Sequence, residues 1–139
     1  MSYLLDTDIV SLTHKKFLPT RLEKWLLAHE AESFISTVTL AEMKFGAETA
    51  PESHQAALRA DVEKTEVLFS ESLEPVSLES LVEWKRVAAF LKQHRRTIGC
   101  EDSLIAAQCL AHGHTVVTNN TAHFKILEPL GLKVLNPLV

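Results

Sequence analysis

Oxygen-bearing side chains follow two short apolar segments of the sequence. Asp6 comes directly after residues 3–5, and Asn119 and Asn120 come directly after the segment that ends at Thr118. If both segments are strands of one parallel sheet, these side chains meet at its carboxyl edge, where open α/β sheets bind ligands. Carboxylate and amide oxygens, without an obligatory His or Cys, suit a hard cation such as Mg²⁺ or Mn²⁺. The sequence therefore predicts a cation site, and metal-assisted hydrolysis of a phosphate ester is the chemistry that such a site supports.

Two further acids stand at positions where helical spacing predicts apolar residues. Glu42 shares a predicted helix face with Val38, Thr39, Phe45 and Gly46, and Asp102 begins a predicted helix that is otherwise apolar. A carboxylate that points toward a protein interior is costly unless it is paired or bound to a metal. Taken singly, Glu42 is better explained as a solvent-facing residue and Asp102 as a helix cap or first-turn acid. Taken together with Asp6, the convergence on one edge favours a shared site.

The elements that must position these residues alternate between strands and helices. The predicted strands are residues 3–5, 33–36 and 115–118, with shorter candidates near Val76 and at 133–135. The predicted helices are residues 21–30, 41–48 (capped by Thr37 or Thr39), 54–67, 78–94 and 102–112, the last closed by Gly113. This alternation predicts a three-layer α/β fold, with a mainly parallel central sheet flanked by helices. No repeat or linker divides residues 1–139, so we expect a single domain.

Composition narrows the class of protein but does not identify its partner. Of the 139 residues, 46% are hydrophobic and 23% are charged, as in ordinary globular proteins. No segment reads as a signal peptide or a bilayer-spanning run, so we expect a cytoplasmic protein that does not enter a membrane. The net charge of −4 argues against a general electrostatic attraction to nucleic acid. Basic residues nevertheless cluster in two places, Lys15, Lys16, Arg21 and Lys24, and Lys92, His94, Arg95 and Arg96. Each cluster alone is better explained as a solvated helix face.

Four segments, in this order, resemble the motifs of PIN-domain nucleases. They are residues 4–11 (LLDTDIVS), 36–46 (STVTLAEMKFG), 101–107 (EDSLIAA) and 117–124 (VTNNTAHF). Each motif alone is weak, whereas the ordered set extends from residue 3 to about residue 136. The short length and the last motif resemble VapC-type toxins of bacterial toxin–antitoxin pairs in particular.

The resemblance implies a metal-dependent endoribonuclease that cleaves RNA phosphodiesters, tRNA especially, with metal-activated water. It assigns Asp6, Glu42 and Asp102 as the metal-site acids, for Mg²⁺ or Mn²⁺, and gives supporting roles to Thr7, Thr118 and Asn119. Asn120 takes a fourth catalytic position, where many PIN domains hold an Asp. An Asn can still bind a metal through its carbonyl oxygen, but it cannot act as a base.

The resemblance also implies protein partners. It predicts a homodimer, and a cognate antitoxin whose C-terminal part lies across the active-site groove. The apolar stretches at residues 21–30 and 54–69 are candidates for that contact, although core packing explains most of their residues at least as well. DNA would be bound only indirectly, through the antitoxin.

Two other interpretations of the acids stay open at this point. A phosphatase of the haloacid-dehalogenase type would use Asp6 as nucleophile and Asp8 as general acid, but it leaves Glu42 without a role. A non-catalytic PIN-like binding module is supported only by Asn120. The presence of Asp6, Glu42 and Asp102 together argues against it.

Overall fold

A five-stranded parallel sheet forms the centre of the computed structural model, which describes residues 1–139. The strands are β1 (Ser2–Leu5), β2 (Ser33–Ser36), β3 (Leu73–Glu74), β4 (His114–Val117) and β5 (Lys133–Leu135). Their order across the sheet is β3-β2-β1-β4-β5. Leu5 lies opposite Val117 in the two adjacent strands β1 and β4. The residues that follow these strands therefore emerge side by side at the carboxyl edge.

Seven α-helices connect the strands and cover the sheet. They are α1 (Thr7–Leu12), α2 (Thr20–His29), α3 (Thr37–Thr49), α4 (Glu52–Leu68), α5 (Leu78–Gln93), α6 (Cys100–His112) and α7 (Thr121–Lys125). Short 3-10 turns stand at Glu30–Glu32 and Glu128–Leu130. No helix combines the length and the apolar character needed to cross a membrane.

Both faces of the sheet are buried, and β1 shows why. Its side chains alternate: Leu4 packs into a core with residues of α5 and α6, whereas Tyr3 and Leu5 pack into a second core with residues of α1 and α2. Continuous burial of a short apolar strand is typical of a parallel sheet that has helices on both sides. The predicted α/β fold, with its parallel sheet between helical layers, is confirmed.

The strand predicted near Val76 was placed too late in the chain. The edge strand is β3, which pairs with the end of β2 through Leu73 opposite Ile35. Pro75 follows directly, and its lack of an N–H group prevents it from extending the hydrogen-bond ladder.

Two helix starts also differ from the prediction. Helix α3 is capped by Ser36, whose Oγ accepts a hydrogen bond from the main-chain N of Val38 at 2.9 Å, rather than by Thr37 or Thr39. Helix α6 begins at Cys100 after the cap residue Gly99, so Asp102 lies in its first turn and does not begin it. The helix ends as predicted, at Gly113 in the left-handed conformation with φ +74°.

Candidate active site

Asp6 is a buried carboxylate held between β1 and β4. Its main-chain N donates to the carbonyl of Val117 at 2.9 Å, and its side chain is nearly inaccessible, with 4% of the residue exposed. Oδ1 accepts from the main-chain N of Thr7 at 2.8 Å, so Asp6 caps α1. Oδ2 accepts from the Thr118 hydroxyl at 2.9 Å. Thr7 and Thr118, which follow the ends of β1 and β4, therefore fix both carboxylate oxygens of Asp6.

Asp8 belongs to the same cluster, although the predicted metal site did not include it. Its Oδ2 accepts from the main-chain N of Asn119 at 3.0 Å and lies 3.4 Å from the Thr118 hydroxyl. Its Oδ1 is buried and has no hydrogen-bond partner. The signal was the Asp-x-Asp spacing at the start of α1, which brings two carboxylates into one helical turn. In the sequence, Asp8 has a role only in the phosphatase interpretation.

Glu42 reaches the cluster through threonine hydroxyls. The Thr7 hydroxyl donates to Glu42 Oε1 at 2.9 Å, and it also lies 2.9 Å from the hydroxyl of the buried Thr39. The helix face predicted around Glu42 is only partly packed. Thr39 is fully buried and Val38 packs against a core, whereas Phe45 is 66% exposed. Glu42 stands at the rim of the sheet edge and not in the core, because α3 turns this side toward an open cleft.

That cleft runs beside Glu42, between α1, α3 and α4, and has a volume of about 320 Å³. Its polar lining residues are Thr7, Ser11, His14, Glu42 and Asp61. Met43, Leu58 and Val62 supply part of its apolar wall. A ligand can therefore approach Glu42 from solvent.

Asp102 joins the site from the first turn of α6 and keeps about a quarter of its side chain exposed. Its Oδ2 lies 3.4 Å from Nδ1 of His123, which in turn lies 2.8 Å from the side-chain nitrogen of Asn120. Nδ1 carries one proton at most, so it either donates to Asp102 or accepts from Asn120. His123 had no place in the predicted site. The sequence signal for including His123 was its position three residues after Asn120, at the start of α7.

The residues after β4 contact the acid cluster mainly through hydroxyl and main-chain groups. Thr118 is fully buried, and its Oγ1 accepts from the main-chain N of Asn120 at 2.9 Å while facing both Asp6 and Asp8. The main-chain N–H of Asn119 donates a hydrogen bond to Asp8. The side chain of Asn119 points away and accepts from Asn136 at 3.2 Å.

Burial and mutual repulsion both raise the pKa of acids in this cluster, and the effect is largest at Asp6. Burial, followed by the charges of Asp8 and Asp102, raises the pKa of Asp6 from 3.8 to about 7, although hydrogen bonds from Thr118 and Thr7 act in the opposite direction. Burial, with Glu101 and Asp102 nearby, also raises the pKa of Glu42 above its usual value. Glu101 is a further acid that the predicted site left out.

Donor chemistry and crowding together fit a hard divalent cation. The partnerless Oδ1 of Asp8 is an unused buried acceptor, and a positive charge would relieve the repulsion that raises the pKa of Asp6. No three His, Cys, Asp or Glu side chains already stand close enough to form a ready-made metal cage. Carboxylate oxygens are the ligands that Mg²⁺ and Mn²⁺ prefer, whereas structural zinc centres use mainly Cys and His.

The comparisons with known proteins agree with this geometry. The family model of the PIN domain matches residues 3–128. Ribonuclease VapC2 of Rickettsia felis is 30% identical over 138 residues, which cover 96% of this chain and 97% of that protein. The tRNA(fMet)-specific endonuclease VapC of Shigella flexneri is 28% identical over 127 residues, covering 90% and 91%. The structure of FitAB bound to an IR36 DNA fragment superposes with a TM-score of 0.83 at 25% identity, covering 99% of this chain and 96% of that one.

These similarities extend over nearly the whole chain and include all four segments that carry the acid cluster. The chain belongs to the PIN-domain family and, within it, to the VapC ribonucleases of toxin–antitoxin systems.

Proposed function

We propose that this VapC ribonuclease depends on Mg²⁺ or Mn²⁺ and that Asp6, Glu42 and Asp102 hold the cation, with Asn120 as the fourth catalytic residue. The observation that carries the proposal is the crowding of acids around the buried Asp6, where Asp8 leaves one oxygen without a partner. When bound, the cation would lower the pKa of water and offset the charge that develops on the phosphate. Membership in the PIN-domain family replaces the phosphatase interpretation of Asp6 and Asp8.

The chain's own residues would hold these groups in place. The hydroxyls of Thr7 and Thr118 orient Glu42 and Asp6, so few side-chain rotations need to be frozen when RNA binds. Asn120 cannot accept a proton from water. In this proposal its NH₂ group donates to Nδ1 of His123 and so holds that ring beside Asp102, at the open side of the site.

The experiment that tests this proposal is cleavage of total cellular RNA by purified, antitoxin-free protein. We expect discrete fragments with Mg²⁺ or Mn²⁺, none with EDTA, and a loss of about 100-fold or more in Asp102→Ala. Glu128→Ala removes an exposed acid outside the site and should cleave like the wild type. Absence of cleavage from a folded sample under every condition would instead favour the non-catalytic binding module.

We infer that tRNA is the substrate class. The support is the relative from Shigella flexneri, whose name is tRNA(fMet)-specific endonuclease. The basic clusters around Arg21 and Lys92 would attract the RNA despite the net charge of −4. Sequencing of the fragment ends identifies the RNA, and ends that map only to messenger or ribosomal RNA would contradict this choice.

A cognate antitoxin is the proposed protein partner, and the cleft beside Glu42 is its proposed site. Each of the two predicted contact stretches, residues 21–30 and 54–69, contains both buried and exposed apolar residues. Leu22 and Val62 are buried in the protein. Leu27, Val67 and Leu68 are largely exposed. Only the exposed residues are available to a partner. We expect Val67→Lys with Leu68→Lys to weaken antitoxin binding in calorimetry, and unchanged affinity would exclude the end of α4 from the contact. The toxin alone should not retard promoter DNA in a gel.

We also propose a homodimer. Helix α5 exposes Leu78, Leu81 and Val82, and clustered apolar residues on a surface often mark an interface. Light scattering should give twice the monomer mass for the wild type and the monomer mass for Val82→Glu. A monomeric wild type would contradict the proposal.

A further inference from the structure

A second groove lies at the end of β5, between α2 and the segment that follows that strand. Its volume is about 480 Å³, and its lining includes Arg21, Lys24, Trp25, Asn136 and Pro137. This size falls within the roughly 300–1,000 Å³ that accommodates small ligands. Apart from the attraction of RNA proposed for the cluster around Arg21, none of the roles assigned above uses this groove.

The groove is connected to the acid cluster by two hydrogen bonds. The side-chain nitrogen of Asn136 donates to the side-chain oxygen of Asn119 at 3.2 Å. The main-chain N of Asn119 then donates to Asp8 at 3.0 Å. The groove and the acid cluster are therefore neighbours, joined through Asn119 and Asn136.

The cations of the groove are free. Arg21 and Lys24 are exposed and three residues apart on α2, a spacing that places them on one helix face. Neither forms an ion pair, whereas Lys44 and Arg86 each contact a glutamate. Unpaired cations beside a cluster of acids supply the positive charge that phosphates require and that the acids cannot provide.

Trp25 gives the groove a rigid aromatic wall. Its ring stacks on His29 with centroids 4.4 Å apart and planes 20° apart, and it meets Tyr3 edge-on at 4.9 Å. These contacts fix the ring while leaving it part of the groove lining. A fixed aromatic ring next to basic side chains is the usual platform for an unpaired base.

We propose that this groove binds a single-stranded segment of the substrate RNA next to the cleaved phosphate. Arg21 and Lys24 contact phosphates, and Trp25 stacks on a base. The inference rests on the proposed ribonuclease function and adds the path that the RNA takes away from the acids. Because stacking tolerates any base, the groove contributes affinity more than sequence choice.

The test compares two double variants with the same change in charge. Arg21→Gln with Lys24→Gln empties the groove of cations, whereas Lys64→Gln with Lys133→Gln removes two exposed, unpaired lysines elsewhere. On a single-stranded RNA substrate, we expect the groove variant to raise KM about 10-fold with kcat within twofold. The slope of log(kcat/KM) against log salt should become shallower by about 1.4, as expected for two lost phosphate contacts. The control variant should change neither.

A binding measurement separates failure of this inference from failure of the proposed function. In EDTA, a Trp84→Phe background leaves Trp25 as the only tryptophan, and an oligoribonucleotide should quench its fluorescence. Quenching should be lost in the groove variant. If the wild type cleaves RNA but the groove variant matches it in KM, slope and quenching, the inference is overturned and the function stands. If the wild type cleaves nothing, the proposed function fails, and the quenching still decides whether RNA enters the groove.

Discussion

Asp6→Asn should make the metal-free protein more stable at neutral pH, although it removes a proposed metal ligand. The asparagine keeps an oxygen for the N–H of Thr7. Its new NH₂ group faces the Thr118 hydroxyl, which can accept from it and donate its own proton to Asp8. The buried hydrogen bonds are therefore rearranged rather than lost. One charge leaves a cluster in which it is repelled by its neighbours.

The magnitude follows from the pKa of Asp6, which rises from 3.8 to about 7 on folding. A raised pKa in the folded state means that folding favours the protonated form. The resulting stability is complete below pH 3.8 and is lost as pH rises through 7. Ionised Asp6 thus costs the wild type about 4 kcal/mol at pH 8. Subtracting about 1 kcal/mol for a weaker hydrogen bond leaves an expected gain of about 3 kcal/mol for Asp6→Asn.

The assay is urea unfolding of both proteins in EDTA at pH 5, 6, 7 and 8. The advantage of Asp6→Asn should grow by about 1.4 kcal/mol per pH unit between pH 5 and 7 and then level off. Glu128→Gln changes an exposed acid outside the cluster and should show a constant difference from the wild type. A difference for Asp6→Asn that is constant with pH, or a loss of stability at pH 8, would refute the claim that crowding destabilises this site.

Three further predictions concern the acid cluster and one separate buried hydrogen-bonded side chain, Gln108. Mg²⁺ should raise the Tm of the wild type by several degrees and that of Asp6→Asn much less, as measured by calorimetry; equal shifts would place the cation elsewhere. Thr118→Val should cost about 1–2 kcal/mol of stability and reduce cleavage, because Asp8 and the main chain of Asn120 lose a partner; Thr118→Ser should restore both, and a failure to do so would assign the effect to the methyl group. Gln108→Leu should cost about 2–3 kcal/mol in urea unfolding without changing kcat, because the buried Gln108 joins Ser36 to a carbonyl of β3; an altered kcat at unchanged stability would contradict this separation.

The alternation of strands and helices was predictable from the sequence because both central strands are short apolar runs that end in polar residues. Asp6 and Asn120 followed those runs directly, so their convergence at one edge could be derived before the structure was known. The start of α6 was harder to predict from the sequence. Its cap is Gly99, which offers no side chain to mark the boundary, and Asp102 resembles a cap in sequence although it lies within the first turn.

The parts of the site that were missed depend on contacts between distant segments. His123 matters because α7 brings it within 3.4 Å of Asp102, and no local pattern encodes that approach. The helix face predicted to pack around Glu42 is buried at Thr39 but exposed at Phe45. A hydrophobic residue at helical spacing is buried only when another helix or strand packs over it. That packing depends on the whole fold and not on the helix alone.

The hydrogen bond from Thr118 to Asp6 spans 112 positions of the chain. A nascent polypeptide therefore contains Asp6 and Asp8 long before it contains the Thr118 hydroxyl that contacts them both. Contacts of such large sequence separation form late in folding. During translation the acids are synthesised first but remain unorganised, so the ribosome that makes this toxin is not exposed to an assembled nuclease until the segment carrying Thr118 has emerged and joined the sheet.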